Sequence, residues 1–137
     1  MLRAMVAAIA AGVVLIGASV AWSNTGPTTR TVNITIHFSH FDASSIAVDP
    51  GETVRFVIHN EDPIAHEFIV GDRYVQLIHE IGTEPSHGAK PGEVSVPAET
   101  TAETTYTFPT KPGQYLQFAC HLPGHYAYGM HGSIVIR

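Results

Sequence analysis

The sequence predicts an all-β fold, an antiparallel Greek-key β-sandwich preceded by an N-terminal signal or anchor helix. Three observations predict it. Short runs of alternating apolar and polar residues recur from residue 31 to the end of the chain. Clusters of Pro, Gly, Asn and Asp punctuate them at turn spacing. No segment after residue 21 carries a clear helical stripe, so strands must build the core.

The N-terminus differs from the rest. Arg3 is followed by an apolar run from Ala4 to about Val20, and Ser19-Val20-Ala21 fits a small-x-small cleavage site. Residues 1–21 therefore read as a signal peptide or a retained membrane anchor, since the run is also long enough to span a bilayer. Residues 22–30 read as a polar tether, and residues 31–137 as one domain. Either fate of the leader places the domain outside the cytoplasm, in the periplasm or on the outer face of the cell membrane.

In the domain, TVNITIHF alternates, with Val32, Ile34, Ile36 and Phe38 on one face. SSIAV and TVRFVIHN flank a turn at Asp49-Pro50-Gly51, and Val54, Phe56 and Ile58 form the inward set of the second. AHEFIV follows the break at Pro63. YVQLIHEI fits either a strand or a helical turn. GTEPSHGAKPG is a polar loop, and EVSV, TAETTYTF, GQYLQFAC and GSIVIR complete about eight strands.

Composition narrows the function. The chain has 7 Lys plus Arg against 12 Asp plus Glu, so no basic patch serves nucleic acid or an anionic membrane surface. Membrane contact is expected only through an uncleaved anchor, and the domain is expected to be a monomer. A single cysteine, Cys120, forms no internal disulfide and is left as an intermolecular partner, a free thiol or a ligand.

Cys120 shares parity with Leu116 and Phe118, which turns it inward at the end of its strand. Alone it reads as a small buried hydrophobe. Its neighbours point elsewhere, for the spacing Cys120-x4-His125-x4-Met130 puts a thiolate, an imidazole and a thioether into one loop. Pro123, Gly124 and Gly129 let that loop turn back. Two imidazoles and a thiolate with a weak axial thioether are the donor set of a blue-copper electron-transfer site. His66 is the candidate for the missing imidazole, since it opens a strand and shares parity with Phe68 and Val70. By itself it would read as a core histidine bonded to backbone.

With these residues assembled, the chain resembles the cupredoxins, small type 1 copper proteins of the plastocyanin, auracyanin and rusticyanin kind. VDPGETVRFVIHNEDPIAHEF and PGQYLQFACHLPGHYAYGMHGSIVIR carry the resemblance over nearly the whole domain. It implies one copper ion, with His66, Cys120 and His125 as equatorial ligands and Met130 as the axial one. Glu67 stands where many cupredoxins have Asn or Ser, and it is expected to point to solvent. The loop also resembles the C-terminal site of multicopper oxidases. Ala119 precedes the cysteine here, however, and no His-x-His pair exists to build a trinuclear cluster, so no enzyme is expected.

The expected function is a one-electron carrier between redox proteins such as a c-type cytochrome or a terminal oxidase. The resemblance to cupredoxins implies that Pro123, Tyr126, Ala127 and Tyr128 form its apolar docking patch around His125. Seven of the nine histidines lie outside this ligand set. His121 and His131 are expected to face away from the metal and His59 outward; His37, His40, His79 and His87 are expected as exposed polar residues. The alternative is copper handling (storage, delivery or resistance) with a second site among His37, His40, His79 and His87. A zinc site of the cysteine and two histidines is a further reading that leaves Met130 without a role.

Overall fold

The protein is described from a computed structural model, over residues 29–137. The leader expected over 1–21 and the tether up to residue 28 lie outside the described residues. Among the described residues no helix is long and apolar enough to cross a membrane.

Nine strands and one helix follow in order: β1 Arg30–His37, β2 His40–Phe41, β3 Ser45–Val48, β4 Thr53–Asn60, β5 His66–Gly71, α1 Arg73–Glu80, β6 Glu93–Val96, β7 Thr101–Thr107, β8 Leu116–Ala119 and β9 His131–Ile136. They form a sandwich of two sheets, ordered β2-β1-β4-β7 and β3-β9-β8-β5-β6. Most pairings are antiparallel, as expected, but β1 with β4 and β3 with β9 run parallel. Alternation along a strand reports which face is buried and carries no strand direction, so the parallel pairs leave no mark in the pattern.

The inward set matches the parity reading. Ile34, Ile36, Val54, Phe56, Ile58, Phe68, Val70, Leu116 and Phe118 meet in one apolar core. The ring of Phe68 lies 5.1 Å from Phe56 and 5.5 Å from Phe118, and Phe41 closes on both Phe68 and Phe118 at 5.6 and 5.4 Å. Such aromatic pairs stabilise beyond their buried area.

One local expectation fails, and the segment that fitted either a strand or a helical turn is decided. Phe38 does not continue the inward face of β1, but is 79% exposed with φ 51°. It sits with Ser39 (φ 55°) in the left-handed turn of the β1–β2 hairpin, which breaks the alternation. Residues 73–80 resolve as helix α1, so the domain is not free of helix. Asp72 caps α1 by accepting from the amides of Tyr74 and Val75, both at 3.0 Å. The buried Gln76 anchors the helix to the sheet, donating to the carbonyls of Ile69 and Gln117 at 3.3 and 3.2 Å. Because α1 packs on β5 and β8, every residue of β5 is buried and its two-residue alternation disappears.

Gly132 in β9 lies opposite Phe118 in β8. A Cβ at position 132 would fall 2.1 Å from Cζ of Phe118. Gly132→Ala therefore overpacks the core and lowers stability by about 1–3 kcal/mol. Thermal unfolding of the metal-free protein should show a clear drop in Tm, whereas Val135→Ala on the exposed face of β9 should change it little.

Candidate metal centre

The ladders of the second sheet decide where the donors meet. In β8–β9 the pairs Leu116–Ile134 and Phe118–Gly132 define a register whose next inward step sets Cys120 opposite Met130. The amide of Cys120 donates to the carbonyl of Met130 at 3.1 Å, so the register continues past the last strand pair. In β5–β8 the pair Val70–Phe118 sets Phe68 opposite Cys120 and leaves His66 one inward step further along.

His66, Cys120 and His125 converge, and their donor atoms lie within 4.8 Å of one another. Nδ1 of His125 is 3.2 Å from Nδ1 of His66 and 3.3 Å from Sγ of Cys120. His66, Cys120 and Met130 are buried, while His125 is half-buried at the domain's edge. The structure thus unites the three expected equatorial residues and places Met130 beside Cys120 on the inward face. A thiol and two imidazole nitrogens in a dry pocket are a donor set for a soft or borderline metal ion.

A carboxylate that the sequence reading missed orients the first histidine. Nε2 of His66 donates to Oδ2 of Asp62 at 2.9 Å, which leaves the Nδ1 lone pair aimed at the centre. Asp62 also accepts from the amides of Phe38 and Ser39, both at 2.7 Å, and this accounts for the exposed left-handed hairpin turn. Burial pushes the Asp62 carboxyl up, but those amide bonds and the His66 contact outweigh it and hold it below the usual carboxylate range. His66 is shifted down by burial, against the raising effect of Asp62, so its imidazole is kept neutral and able to ligate. Asn60 fastens the turn between them, donating to the carbonyls of Ile64 and Pro97 at 2.8 and 3.0 Å and accepting from the Asp62 amide at 3.0 Å. The signal in the sequence was Asp62 four residues before His66, but nothing in the pattern distinguished it from Glu61 beside it in the NEDP turn.

Glu67 does not point to solvent. It is buried, because the outer face of β5 is covered. Its amide donates to Sγ of Cys120 at 3.3 Å, and its Oε2 accepts from the amide of His121 at 3.4 Å. An N–H group aimed at the sulfur stabilises negative charge there.

The remaining histidines divide. His121 faces away from the centre, bonded to Oε2 of Glu80 at 2.8 Å and Oε1 of Gln76 at 2.7 Å, with Tyr126 stacked on it. His37, His40 and His131 are exposed. His59 is half-buried and bonded to Oγ1 of Thr101 at 3.0 Å. The expectation fails for His79 and His87, whose side chains are 1% exposed beneath the loop after α1, far from being a surface set with His37 and His40. That loop was legible as polar, but not as a lid over α1 and β6.

A family model described as a cupredoxin-like domain matches residues 7–136. The chain is 40% identical over 112 residues to a protein of Rubrivivax gelatinosus named copper-resistant cuproprotein CopI, with 79% of this chain and 67% of the relative covered. A protein of the same name from Pseudomonas aeruginosa PAO1 is 30% identical over 140 residues, covering 79% of this chain and 76% of that one. Among solved structures, auracyanin B superposes with a TM-score of 0.65 at 20% identity, over 83% of this chain and 92% of that one.

The Cys120 thiol is pushed up to about 11, chiefly by burial, against amide hydrogen bonds from Leu122 and Glu67. The metal-free protein should therefore hold a protonated thiol and release its proton only when a metal takes the sulfur. Alkylation by iodoacetamide should accelerate about tenfold per pH unit from about pH 7 to about pH 10. A plateau beginning near the ordinary thiol value, about 8.5, would contradict the burial.

Proposed function

Because the chain belongs to the cupredoxin-like family, we propose that it is an exported copper protein that holds one type 1 copper ion and serves in copper tolerance. The observation that carries the reading is the convergence of His66 Nδ1, His125 Nδ1 and Cys120 Sγ, with Met130 beside Cys120 across the β8–β9 ladder. Thiolate and thioether donors favour Cu(I), imidazoles accept Cu(II), and the mixed set suits an ion that alternates between the two. A copper ion there would supply a one-electron couple. A zinc ion would use the thiolate and imidazoles and leave the buried Met130 without a part.

The chain's own residues prepare that site before any metal arrives. Asp62 fixes the tautomer and direction of His66. The Glu67 amide lies ready for negative charge on the Cys120 sulfur. The apolar core behind Cys120 and Met130 keeps water away on one side, and the half-buried His125 closes the other. The similarity to two copper-resistant cuproproteins supports tolerance as the role. No substrate-converting step is assigned, so the protein is read as a binding and redox protein, a monomer of the periplasm or the outer face of the cell membrane.

One observation favours a second reading, electron transfer to a partner such as a c-type cytochrome or terminal oxidase. His125 lies at the surface end of the centre, flanked by exposed Pro123, Ala127 and Tyr128. Such a face suits a small, transient redox encounter.

Addition of Cu2+ to the metal-free protein should give an intense visible band that Cys120→Ser abolishes. Asp62→Asn should keep the band and bind copper about 10–100-fold more weakly. A colourless wild-type complex would sink the type 1 assignment. In cells lacking the gene, the wild type but not Cys120→Ser should restore growth on copper. Unchanged copper tolerance on deletion, together with loss of electron transfer to an isolated cytochrome, would favour the carrier reading instead.

A further inference from the structure

A second group of donors lies outside this centre. His79 comes from the last turn of α1, His87 from the loop that follows, and Glu93 from the start of β6. Nε2 of His79 and Nδ1 of His87 each lie 3.5 Å from Oε2 of Glu93, and the three atoms fall within 4.8 Å of one another. These same three atoms are the buried side-chain polar atoms without a hydrogen-bond partner among the described residues. A native fold rarely leaves one such atom unpaired, and three pointing at one spot require an explanation.

The outer nitrogens sharpen the point. Nδ1 of His79 lies 2.8 Å from the Val75 carbonyl, which accepts only, so Nδ1 carries the proton and Nε2 presents a lone pair. Nε2 of His87 lies 3.4 Å from the Glu67 carboxylate and 3.4 Å from Oγ1 of Thr83, which places its proton there and the lone pair on Nδ1. Two lone pairs and a carboxylate oxygen then face one another with no proton between them. Mutual repulsion would open such a cluster unless a cation occupied it. Two metal–ligand bonds of about 2.0–2.1 Å at tetrahedral to trigonal angles separate their donors by roughly 3.3–3.6 Å, and the observed 3.5 Å separations match.

We propose that His79, His87 and Glu93 form a second metal site for Cu2+, separate from the Cys120 centre. Two imidazoles and a carboxylate without sulfur suit a borderline divalent ion, and Cu2+ binds such donors more tightly than the other first-row divalent ions. Glu84, whose Oε1 lies 3.8 Å from His87 Nδ1, stands next to the site as a fourth donor and its second oxygen. Lys90 is the cation now nearest, 3.6 Å from Glu93 Oε2, but it is exposed and also bonded to Glu84 at 3.2 Å. It touches neither imidazole lone pair. An open groove of about 410 Å³, bordered by Glu67, His79, Glu80, Thr83 and His121, gives an ion a way in.

The test counts metal in the full chain. Metal-free protein is loaded with Cu2+, desalted and analysed for copper per chain, with paramagnetic resonance to separate the signals. Two coppers are expected, one of them with no visible band. His87→Gln and Glu93→Gln should each reduce the count to one while leaving the Cys120-dependent band unchanged. Cys120→Ser should lose that band and keep the second copper, so the two centres succeed or fail separately. The double variant His37→Gln, His40→Gln should still bind two, which sets aside surface imidazoles. One copper in the wild type would overturn the proposal without recourse to any variant. So would two coppers in both His87→Gln and Glu93→Gln, or a second equivalent taken up as Zn2+ but not as Cu2+.

Discussion

The centre depends first on a register. The β5–β8 ladder pairs Val70 with Phe118, and β8–β9 pairs Phe118 with Gly132. With those pairs in place, His66, Cys120 and Met130 all emerge on the inward face. A slip of one residue in either ladder would send a ligand to the opposite face, because side chains alternate along a strand. The aromatic core and the missing side chain at Gly132 enforce the register: Phe118 fills the space left there, and its ring stacks on Phe68. Packing thus does the work of aligning ligands before coordination chemistry begins.

Around that frame, polar groups settle directions that packing leaves free. A buried imidazole has two nitrogens, and the bond made by one decides what the other offers. Asp62 does this for His66, and the Val75 carbonyl does it for His79. Glu67 stands between the two histidine groups. Its amide serves the Cys120 sulfur, while its carboxylate lies against His87 and takes the His121 amide. The position after His66 therefore acts through its backbone on one side and its side chain on the other.

Much of this was legible in the residues themselves. The parity of Val54, Phe56 and Ile58, of Leu116, Phe118 and Cys120, and of His66, Phe68 and Val70 follows from alternation alone, and the apolar members of these sets share one core that leaves out Ile69 and Ala119. The spacing from Cys120 to Met130 survives translation into space because it lies in one hairpin connection. What escaped reading depended on contacts between distant segments. Glu67 looked solvent-facing because its strand alternates, but its carboxylate is covered by His87 of the loop after α1 and by the His121 amide. Asp62 needed the amides of Phe38 and Ser39 from another hairpin. His79, His87 and Glu93 come from a helix, a loop and a strand, so no spacing rule joins them. Phe38 was misread because a left-handed turn ends the alternation one residue early.

The segment from Cys120 to Met130 is held largely by its own backbone. The His125 amide bonds to the Leu122 carbonyl at 2.9 Å, that of Tyr128 to Gly124 at 3.0 Å, and that of Met130 back to His125 at 3.0 Å. Three of the four proposed ligands thus lie within one self-bracing connection, its ends Cys120 and Met130 held in the core by the β8–β9 register and its middle, His125, held by the loop. An insertion or deletion between Leu122 and Gly129 would move His125 while the ladder keeps Cys120 opposite Met130. The one donor at the surface is thus set by a loop and the other three by the ladders, so the outer side of the centre can be reshaped without re-registering the sheets.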